Sequence, residues 1–151
     1  NKIPFQALSN HFSLAHMIEP VWPGCESSSN EDFRKFLKKK NIPLFPWSSQ
    51  ARGFFLKDTS DRKSYNSADP NLDEQKRVWH SEENLMKRDR CFAMAKDKGF
   101  EPIEIALAYV LNQDFPVFPL IGPRNLLETE SSVNSLKVKL TMEEMKWLDL
   151  N

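Results

Sequence analysis

The chain has 151 residues, of which 40% are hydrophobic and 28% are charged, and this composition is typical of a single folded domain rather than a disordered segment. The 21 basic residues balance the 21 acidic ones, so no global positive field favours nucleic acid or an anionic membrane as a partner. No apolar run reaches the roughly 18 residues that a membrane span needs. The first residues lack a Met and the apolar core of a secretory signal, so we expect a cytoplasmic protein that is a processed chain or a piece of a longer one.

The two cysteines, Cys25 and Cys91, lie far apart and belong to no CxxC pair. This usage favours two free thiols in a reducing compartment over a disulfide. The three histidines add no ligand spacing that zinc requires, so we expect no metal site.

The first third of the chain predicts two short strands with a helix between them. An apolar run over residues 5–8 leads into residues 9–13, and a second run follows at residues 43–47. Short apolar runs bounded by turn residues are typical of buried parallel strands, although their prolines cannot donate to a strand ladder. Residues 32–40 predict an amphipathic helix whose apolar face carries Phe33, Phe36 and Leu37.

The middle of the chain predicts a polar loop over residues 57–70 and then helices. A loop of this length without pattern is usually a functional lid or a disordered segment. Residues 73–98 predict one long charged helix that Gly99 ends in a left-handed conformation. Pro102 is suited to the first position of the apolar helix predicted over residues 103–112.

The last third predicts a strand followed by two helices. The strand covers residues 116–121, and Asn125-x-x-Glu128 opens a helix in the manner of a capping box. Thr141-x-x-Glu144 opens the final helix in the same way, with an apolar face made by Met145, Trp147 and Leu148. The alternation of strand and helix along the whole chain is that of βαβ units with a parallel sheet.

Two segments that follow predicted strands carry the chemistry of a ligand site. Residues 47–53 (WSSQARG) supply an indole, two hydroxyls, an amide and a guanidinium, and residues 121–125 (IGPRN) open a helix. In parallel α/β proteins ligands bind at the carboxyl ends of strands, and a helix N-terminus offers free N–H groups to an anion. The two segments are therefore candidates for holding a planar ring and a phosphate, and ordinary turns are the alternative.

At these residues the sequence resembles the aldo-keto reductase family. WSSQARGFF (47–55) resembles the family's YSPLAxG segment after barrel strand seven, and PLIGPRNLLETESSVNSL (119–136) resembles its IPGxxxxEQLxEN segment at strand eight. PIEIALAYVLNQ (102–113) is similar to the helix between them, and SNHFSL (9–14) is similar to the end of strand six. The resemblance runs over essentially the whole chain, and these motifs keep the family's order and spacing.

The resemblance implies an α/β fold that is the C-terminal portion of a (β/α)₈ TIM barrel, with about three strand–helix units plus a terminal helix over residues 1–151. It also implies an NADP(H)-dependent oxidoreductase that reduces aldehydes or ketones by hydride transfer, with a small carbonyl compound as substrate. The family's catalytic Asp, Tyr, Lys and His belong to the first half of the barrel. We therefore assign no catalytic residue in this chain.

Cofactor-binding roles carry over residue by residue from the resemblance. Trp47 matches the aromatic position that stacks on the nicotinamide ring, and Arg124 matches the region that meets the adenosine 2′-phosphate. The remaining matches are Ser48, Gln50 and Arg52 along the pyrophosphate and Gly122 at the end of strand eight. Four residues depart from the family's pattern. Near the adenosine, Glu128 stands where the family has a glutamine, and Ser131-Ser132 stands where it has a Glu-Asn pair. On strand six, Ser9 takes the place of the glutamine that binds the carboxamide.

Three strands of a barrel leave open sheet edges and an uncovered apolar core. We therefore expect the chain to need the missing N-terminal half of the barrel or to self-associate. A non-catalytic nucleotide-binding or interaction module derived from the same barrel is the alternative function.

Overall fold

A computed structural model describes residues 4–56 and 70–151 of the chain. Most of the described residues are in helices. The loop predicted at 57–70 lies outside the described residues except for Pro70, which begins a helix. Short 3-10 turns occur at Ala51–Gly53 and Ser135–Lys137. The α-helices are α1 (Glu31–Lys40), α2 (Pro70–Trp79), α3 (Glu82–Lys98), α4 (Pro102–Leu111), α5 (Leu126–Asn134) and α6 (Met142–Leu148).

The three predicted strands appear as short extended segments joined by isolated parallel bridges. Leu8 is bridged to Leu44, and Leu44 is bridged to Val117, so the second segment lies between the other two. The backbone N–H of Leu8 donates to the carbonyl of Pro43 (2.9 Å), and that of Leu44 donates to Pro116 (2.9 Å). Prolines in these segments accept such bonds but cannot donate any, which keeps the ladder short. The parallel direction is as predicted, but the described residues form no continuous strand.

A fourth segment, which the sequence did not predict, covers the edge of the first one. His11 is bridged both to Trp47 and to Ser27, and the N–H of Ser28 donates to the carbonyl of His11 at 2.8 Å. The polar run around residues 26–28 has no strand pattern, so only its position beside His11 makes it extended. It pairs with backbone N–H and C=O groups at the edge of the first segment that would otherwise have no hydrogen-bond partner.

The helix ends follow the predicted signals. Gly99 adopts a left-handed conformation (φ 73°) and its N–H donates to Ala95, while Pro102 is the first residue of α4. Thr141 and Glu144 form a reciprocal capping box at the start of α6. The single helix predicted over 73–98 is wrong, because Ser81 is extended and accepts from the N–H of Asn84 as an N-cap. This cap divides the segment into α2 and α3.

The core lies around α4, whose residues are almost all buried. Leu37 of α1 and Leu148 of α6 are fully buried, as their predicted apolar faces require. Two aromatic predictions are wrong: Phe36 is 43% exposed and Trp147 is 40% exposed. Trp147 instead lies under the guanidinium of Arg90, 5.3 Å from its ring centroid, where solvent still reaches the indole.

A row of large apolar side chains is exposed on the extended segments. Phe45 and Phe118 stack with their ring centroids 5.2 Å apart, and Leu120 is 50% exposed. Leu44, the neighbour of Phe45, is fully buried, so alternate residues of the segment face opposite sides. One side of the segments is therefore covered by helices, and the side that carries Phe45, Phe118 and Leu120 is not.

A buried ionic cluster ties α1, α3 and α4 to the last residues of the chain. The ammonium of Lys87, which is fully buried, lies 2.9 Å from Asp149 Oδ1 and 2.9 Å from His16 Nε2. The guanidinium of Arg34 donates to Asp149 Oδ2 at 2.7 Å and to the hydroxyl of Tyr109 at 2.9 Å. Burial opposes charge on Asp149, but the hydrogen bonds and charges of His16, Lys87 and Arg34 hold its pKa well below its ordinary value.

Candidate cofactor-binding site

A cavity of about 610 Å³ lies where the turns after the second and third extended segments meet. This volume falls within the range of small-molecule and cofactor sites, which is about 300–1,000 Å³. Because the segments are parallel, both turns leave from the same end of the sheet, as the sequence analysis expects. The wall combines apolar side chains with hydroxyl, amide and guanidinium groups from the two candidate segments and α5.

Seven of the eight predicted cofactor residues line this cavity, namely Ser48, Gln50, Arg52, Gly122, Arg124, Glu128 and Ser132. The eighth, Trp47, precedes the cavity in the chain and does not line it. The apolar part of the wall, which sequence reasoning did not assign, comes from Leu56, Ile103, Leu120, Ile121 and Leu127.

The first wall is a turn with unusual backbone conformation. Ser48, Ala51 and Arg52 have φ values of 51°, 46° and 49°, in the left-handed region that residues with a Cβ seldom adopt. Each such residue costs of order 1 kcal/mol or more and persists only where its surroundings impose it. Two side chains hold the backbone of this turn: that of Gln75 donates to the carbonyl of Arg52 at 3.0 Å, and that of Arg88 donates to the carbonyl of Phe54 at 2.9 Å.

Helix α2 therefore holds this turn in place. Besides the Gln75 contact, the guanidinium of Arg52 forms an ion pair with Glu74. Strained backbone held by an adjacent helix is a common property of ligand-binding turns. The turn residues were predicted from their chemistry, whereas the supporting contacts from α2 have no signal in the sequence.

The second wall is the start of α5. Asn125 accepts from the N–H of Glu128 as the N-cap, at 2.9 Å. The carboxylate of Glu128 accepts from the N–H of Arg124 at 2.7 Å and lies 3.2 Å from its guanidinium. The predicted capping box is thus changed, because Glu128 reaches back to Arg124 rather than to the N–H of Asn125. Its charge is opposed by the neighbouring guanidinium, which reduces the repulsion that a bare carboxylate would exert on a phosphate.

Gly122 and Ser131 show where a ligand would fit this wall. A Cβ built on Gly122 meets nothing within 4 Å among the described residues, so these residues leave open space beside it. Ser131 lines the cavity, and its buried hydroxyl oxygen has no hydrogen-bond partner among the described residues. The hydroxyl of Ser132 instead donates to the carbonyl of Glu128 at 2.8 Å. Of the two serines at the family's Glu-Asn position, Ser132 has thus used its proton and can only accept, whereas the hydroxyl of Ser131 can still donate.

Trp47 is half-buried between two other rings. The indole of Trp22 stacks on it with centroids 4.6 Å apart and an interplanar angle of 29°. The centroid of the His11 imidazole lies 5.1 Å from that of the Trp47 ring, and the two ring planes are inclined at 60°. The sequence analysis expects Trp47 to offer a face to a nicotinamide ring, and in this structure Trp22 is already stacked on Trp47.

His11 is fully buried and makes two contacts that suit a neutral imidazole. Its Nδ1 lies 3.0 Å from Ser27 Oγ and its Nε2 lies 3.2 Å from Ser13 Oγ, whose own proton goes to the carbonyl of Ala15. Burial, and then the charge of His16, lower the pKa of His11 to about 3. His11 is therefore a neutral packed residue and not an acid catalyst.

This pKa shift predicts a loss of stability in mild acid. The unfolded chain takes up a proton near the ordinary pKa of 6.5 and the folded chain only near 3, so stability falls as the pH falls through this window. Between about pH 7.5 and about pH 5 we expect His11 to cost about 2 kcal/mol of unfolding free energy. Urea unfolding at both pH values measures it. His11→Gln should remove this part of the pH dependence, whereas the control His80→Gln, at an exposed site, should keep it. If the unfolding free energy of His11→Gln depends on pH as steeply as that of the wild type, the shift does not belong to His11.

A second cavity, of about 790 Å³, lies between α1 and the C-terminal residues. Its charged lining includes Arg34, Lys38, Glu83 and Asp149, and these side chains already pair with each other or with neighbours.

In the part of the chain that is described, no cluster of three or more potential metal ligands occurs, and no helix is both long and apolar enough to cross a membrane.

The fold and the site thus define a parallel α/β protein with a cavity, lined by hydroxyl, amide and guanidinium groups, at the carboxyl ends of its extended segments. The model of the aldo/keto reductase family matches residues 1–150, and the chain belongs to this family. The thermostable aldo-keto reductase Tm1743, solved with the inhibitor epalrestat, is similar in fold, a TIM barrel, with a TM-score of 0.55 and 16% identity. The match covers 94% of this chain and 38% of Tm1743.

Relatives of known name are distant in sequence and much longer. The versiconal hemiacetal acetate reductase of Aspergillus parasiticus is 28% identical over 109 residues, which are 72% of this chain and 32% of the relative. Probable aldo-keto reductase 1 of Glycine max is 25% identical over 147 residues, covering 87% of this chain and 40% of the relative. The matches therefore span about a third to two fifths of the length of these relatives.

Proposed function

We propose that this chain provides the cofactor-binding part of an NADP(H)-dependent oxidoreductase that reduces aldehydes or ketones to alcohols. The observation that carries the proposal is the cavity of about 610 Å³ that is lined by seven of the cofactor residues expected from the family resemblance. Family membership supports the carbonyl reductase activity, since both named relatives are reductases by name. The cofactor, when bound, supplies the hydride, and the chain's own residues hold it.

The two walls suit the two ends of such a ligand. The guanidinium of Arg124 and the N-terminus of α5 provide positive charge and N–H groups for the phosphate on the adenosine ribose. The hydroxyls and amide of Ser48 and Gln50 line the path of the pyrophosphate. The hydroxyl of Ser131, which has no hydrogen-bond partner among the described residues, would bond to the adenine. We propose NADP(H) rather than NAD(H) because Arg124 lines the wall at the start of α5, and an arginine can bind a phosphate with two parallel hydrogen bonds.

The exposed apolar row supports the proposal that the chain is the C-terminal portion of a barrel. Phe45, Phe118 and Leu120 lie on the side of the segments that helices leave uncovered. Completion by the remainder of a barrel, or by a second copy, would remove this surface from water, which stabilises by about 25 cal/mol per Å². The carbonyl substrate would bind against residues that the missing part contributes, and we propose no catalytic residue in this chain.

One observation favours a second candidate, a nucleotide-binding module without reductase activity. Trp22 lies on Trp47, where the reductase needs access to the ring that carries the hydride. A module of this kind would bind the adenosine and phosphates and leave the nicotinamide end unused.

Titration of the purified protein with NADPH, followed by tryptophan fluorescence, tests the main proposal. We expect saturable quenching with a lower Kd for NADPH than for NADH, because only NADPH presents the 2′-phosphate to Arg124. Adenosine 2′,5′-bisphosphate should compete, since it carries the same phosphate without the nicotinamide. A protein that is folded by circular dichroism and binds none of the three would contradict the proposed function. Binding without carbonyl reduction, once any missing barrel half is supplied, would favour the module.

A further inference from the structure

The stack of Trp22 on Trp47 leaves no room for a third ring between them. Stacked aromatic pairs have centroids about 4.5–7 Å apart, and the 4.6 Å of this pair is at the close end of that range. His11 contacts Trp47 as well, with a tilted ring. Trp22 itself is 48% exposed, so it has solvent on its far side and a route along which it can move.

The backbone of the segment that carries Trp22 is hydrogen-bonded on both sides of its turn, since the N–H of Cys25 donates to the carbonyl of Trp22 (3.2 Å) and the N–H of His11 donates to that of Glu26 (3.1 Å), so any movement of Trp22 is a rotation of its side chain. Arg77 of α2 donates to the carbonyl of Pro20 at 2.9 Å and to that of Val21 at 3.1 Å. The N–H of Ile18 donates to the carbonyl of Val78 at 2.9 Å. Beyond Trp22 the chain turns at Gly24, whose φ of +83° suits glycine, and a Cβ there would meet nothing within 4 Å.

We propose that Trp22 closes the nicotinamide subsite by occupying the face of Trp47, and that Trp47 stacks on a nicotinamide only after Trp22 has swung out. This inference rests on the proposed function, which supplies the ligand. A half-exposed indole on a turn contributes little to the core, so core packing does not account for a tryptophan at position 22. The proposed role does account for it. The adenosine end of the cavity does not involve Trp22, so a ligand without a nicotinamide leaves the stack intact.

Far-ultraviolet circular dichroism tests the proposal directly, since two stacked indoles couple electronically and give a paired positive and negative band. We expect NADP⁺ to abolish this couplet in the wild-type protein and adenosine 2′,5′-bisphosphate to leave it. Trp22→Ala removes the competitor and should tighten NADP⁺ binding about two- to tenfold, with no effect on the bisphosphate. Trp22→Phe is the matched control, because a phenyl ring still covers Trp47 and should keep the wild-type affinity.

The outcomes separate this inference from the proposed function. Binding of both ligands with the couplet retained, and equal NADP⁺ affinity for wild type and Trp22→Ala, would overturn the inference and leave the proposed function standing. NADP⁺ binding by Trp22→Ala alone would support the inference in its strongest form. Failure of wild type and Trp22→Ala to bind either ligand while folded would overturn both.

Discussion

Asp149→Asn is expected to lower the free energy of unfolding by about 3–5 kcal/mol, the usual cost of removing one partner from a buried ion pair. The carboxylate of Asp149 is 4% exposed, accepts from Lys87 and Arg34, and is the charge that compensates both. Without it the fully buried ammonium of Lys87 keeps, among the described residues, only Glu83 as an anionic partner, at 3.0 Å. Urea unfolding above pH 6 measures the loss.

A surface pair provides the control for this prediction. Glu31 and Lys35 form an ion pair in α1 at 2.9 Å, with both side chains mostly exposed, so Glu31→Gln should leave stability unchanged within error. The effect of Asp149 also has a pH signature. Because its folded pKa is depressed, its contribution is complete above the ordinary value of 3.8 and is lost as the pH falls below that value. An Asp149→Asn protein as stable as wild type at neutral pH would show that the cluster is not what fastens the C-terminus.

Arg124→Ala is expected to weaken NADPH binding about ten- to thirtyfold while changing NADH affinity much less. A charge-assisted hydrogen bond contributes about 1.5–3 kcal/mol, and the lower part of this range applies because the side chain is 60% exposed. Only NADPH carries the phosphate that would use the guanidinium. Fluorescence titration of both cofactors at low ionic strength measures the difference.

Glu128→Gln is the matched variant, because the amide still accepts from the N–H of Arg124 but carries no charge. It should tighten NADPH and leave NADH unaffected, which is opposite in sign to Arg124→Ala. Equal losses for the two cofactors in Arg124→Ala would remove the basis for preferring NADP(H).

Signals that are local in the sequence predicted the structure well. Gly99 ends α3, Pro102 begins α4 and Thr141 caps α6, because each of these depends on the conformation of one residue and its next few neighbours. Seven of the predicted site residues line one cavity because two turns after parallel strands lie at the same sheet end, and their cofactor role stays a prediction. The cap at Ser81 is local too, but the charged pattern on either side of it resembles one continuous helix.

Long-range contacts had no such signal. Nothing in the run around Trp22 indicates that it lies on Trp47, because the two are 25 residues apart (47 − 22) and only the fold brings them together. The buried Lys87 has the same explanation: a lysine in a charged helix predicts solvent exposure, and its partner Asp149 is 62 residues away. The exposed Phe45 was part of a run read as buried, and it stays uncovered where no further chain packs on it.

Helix α2 contacts both ends of the proposed ligand site. Glu74 and Gln75 hold the strained turn at Arg52, and Arg77, two residues further on, holds the base of the Trp22 segment. A ten-residue helix opens as one cooperative unit, so both sets of contacts are lost in the same local unfolding event. The backbone amides of α2 would therefore report occupancy of either half of the site through one shared rate of hydrogen exchange.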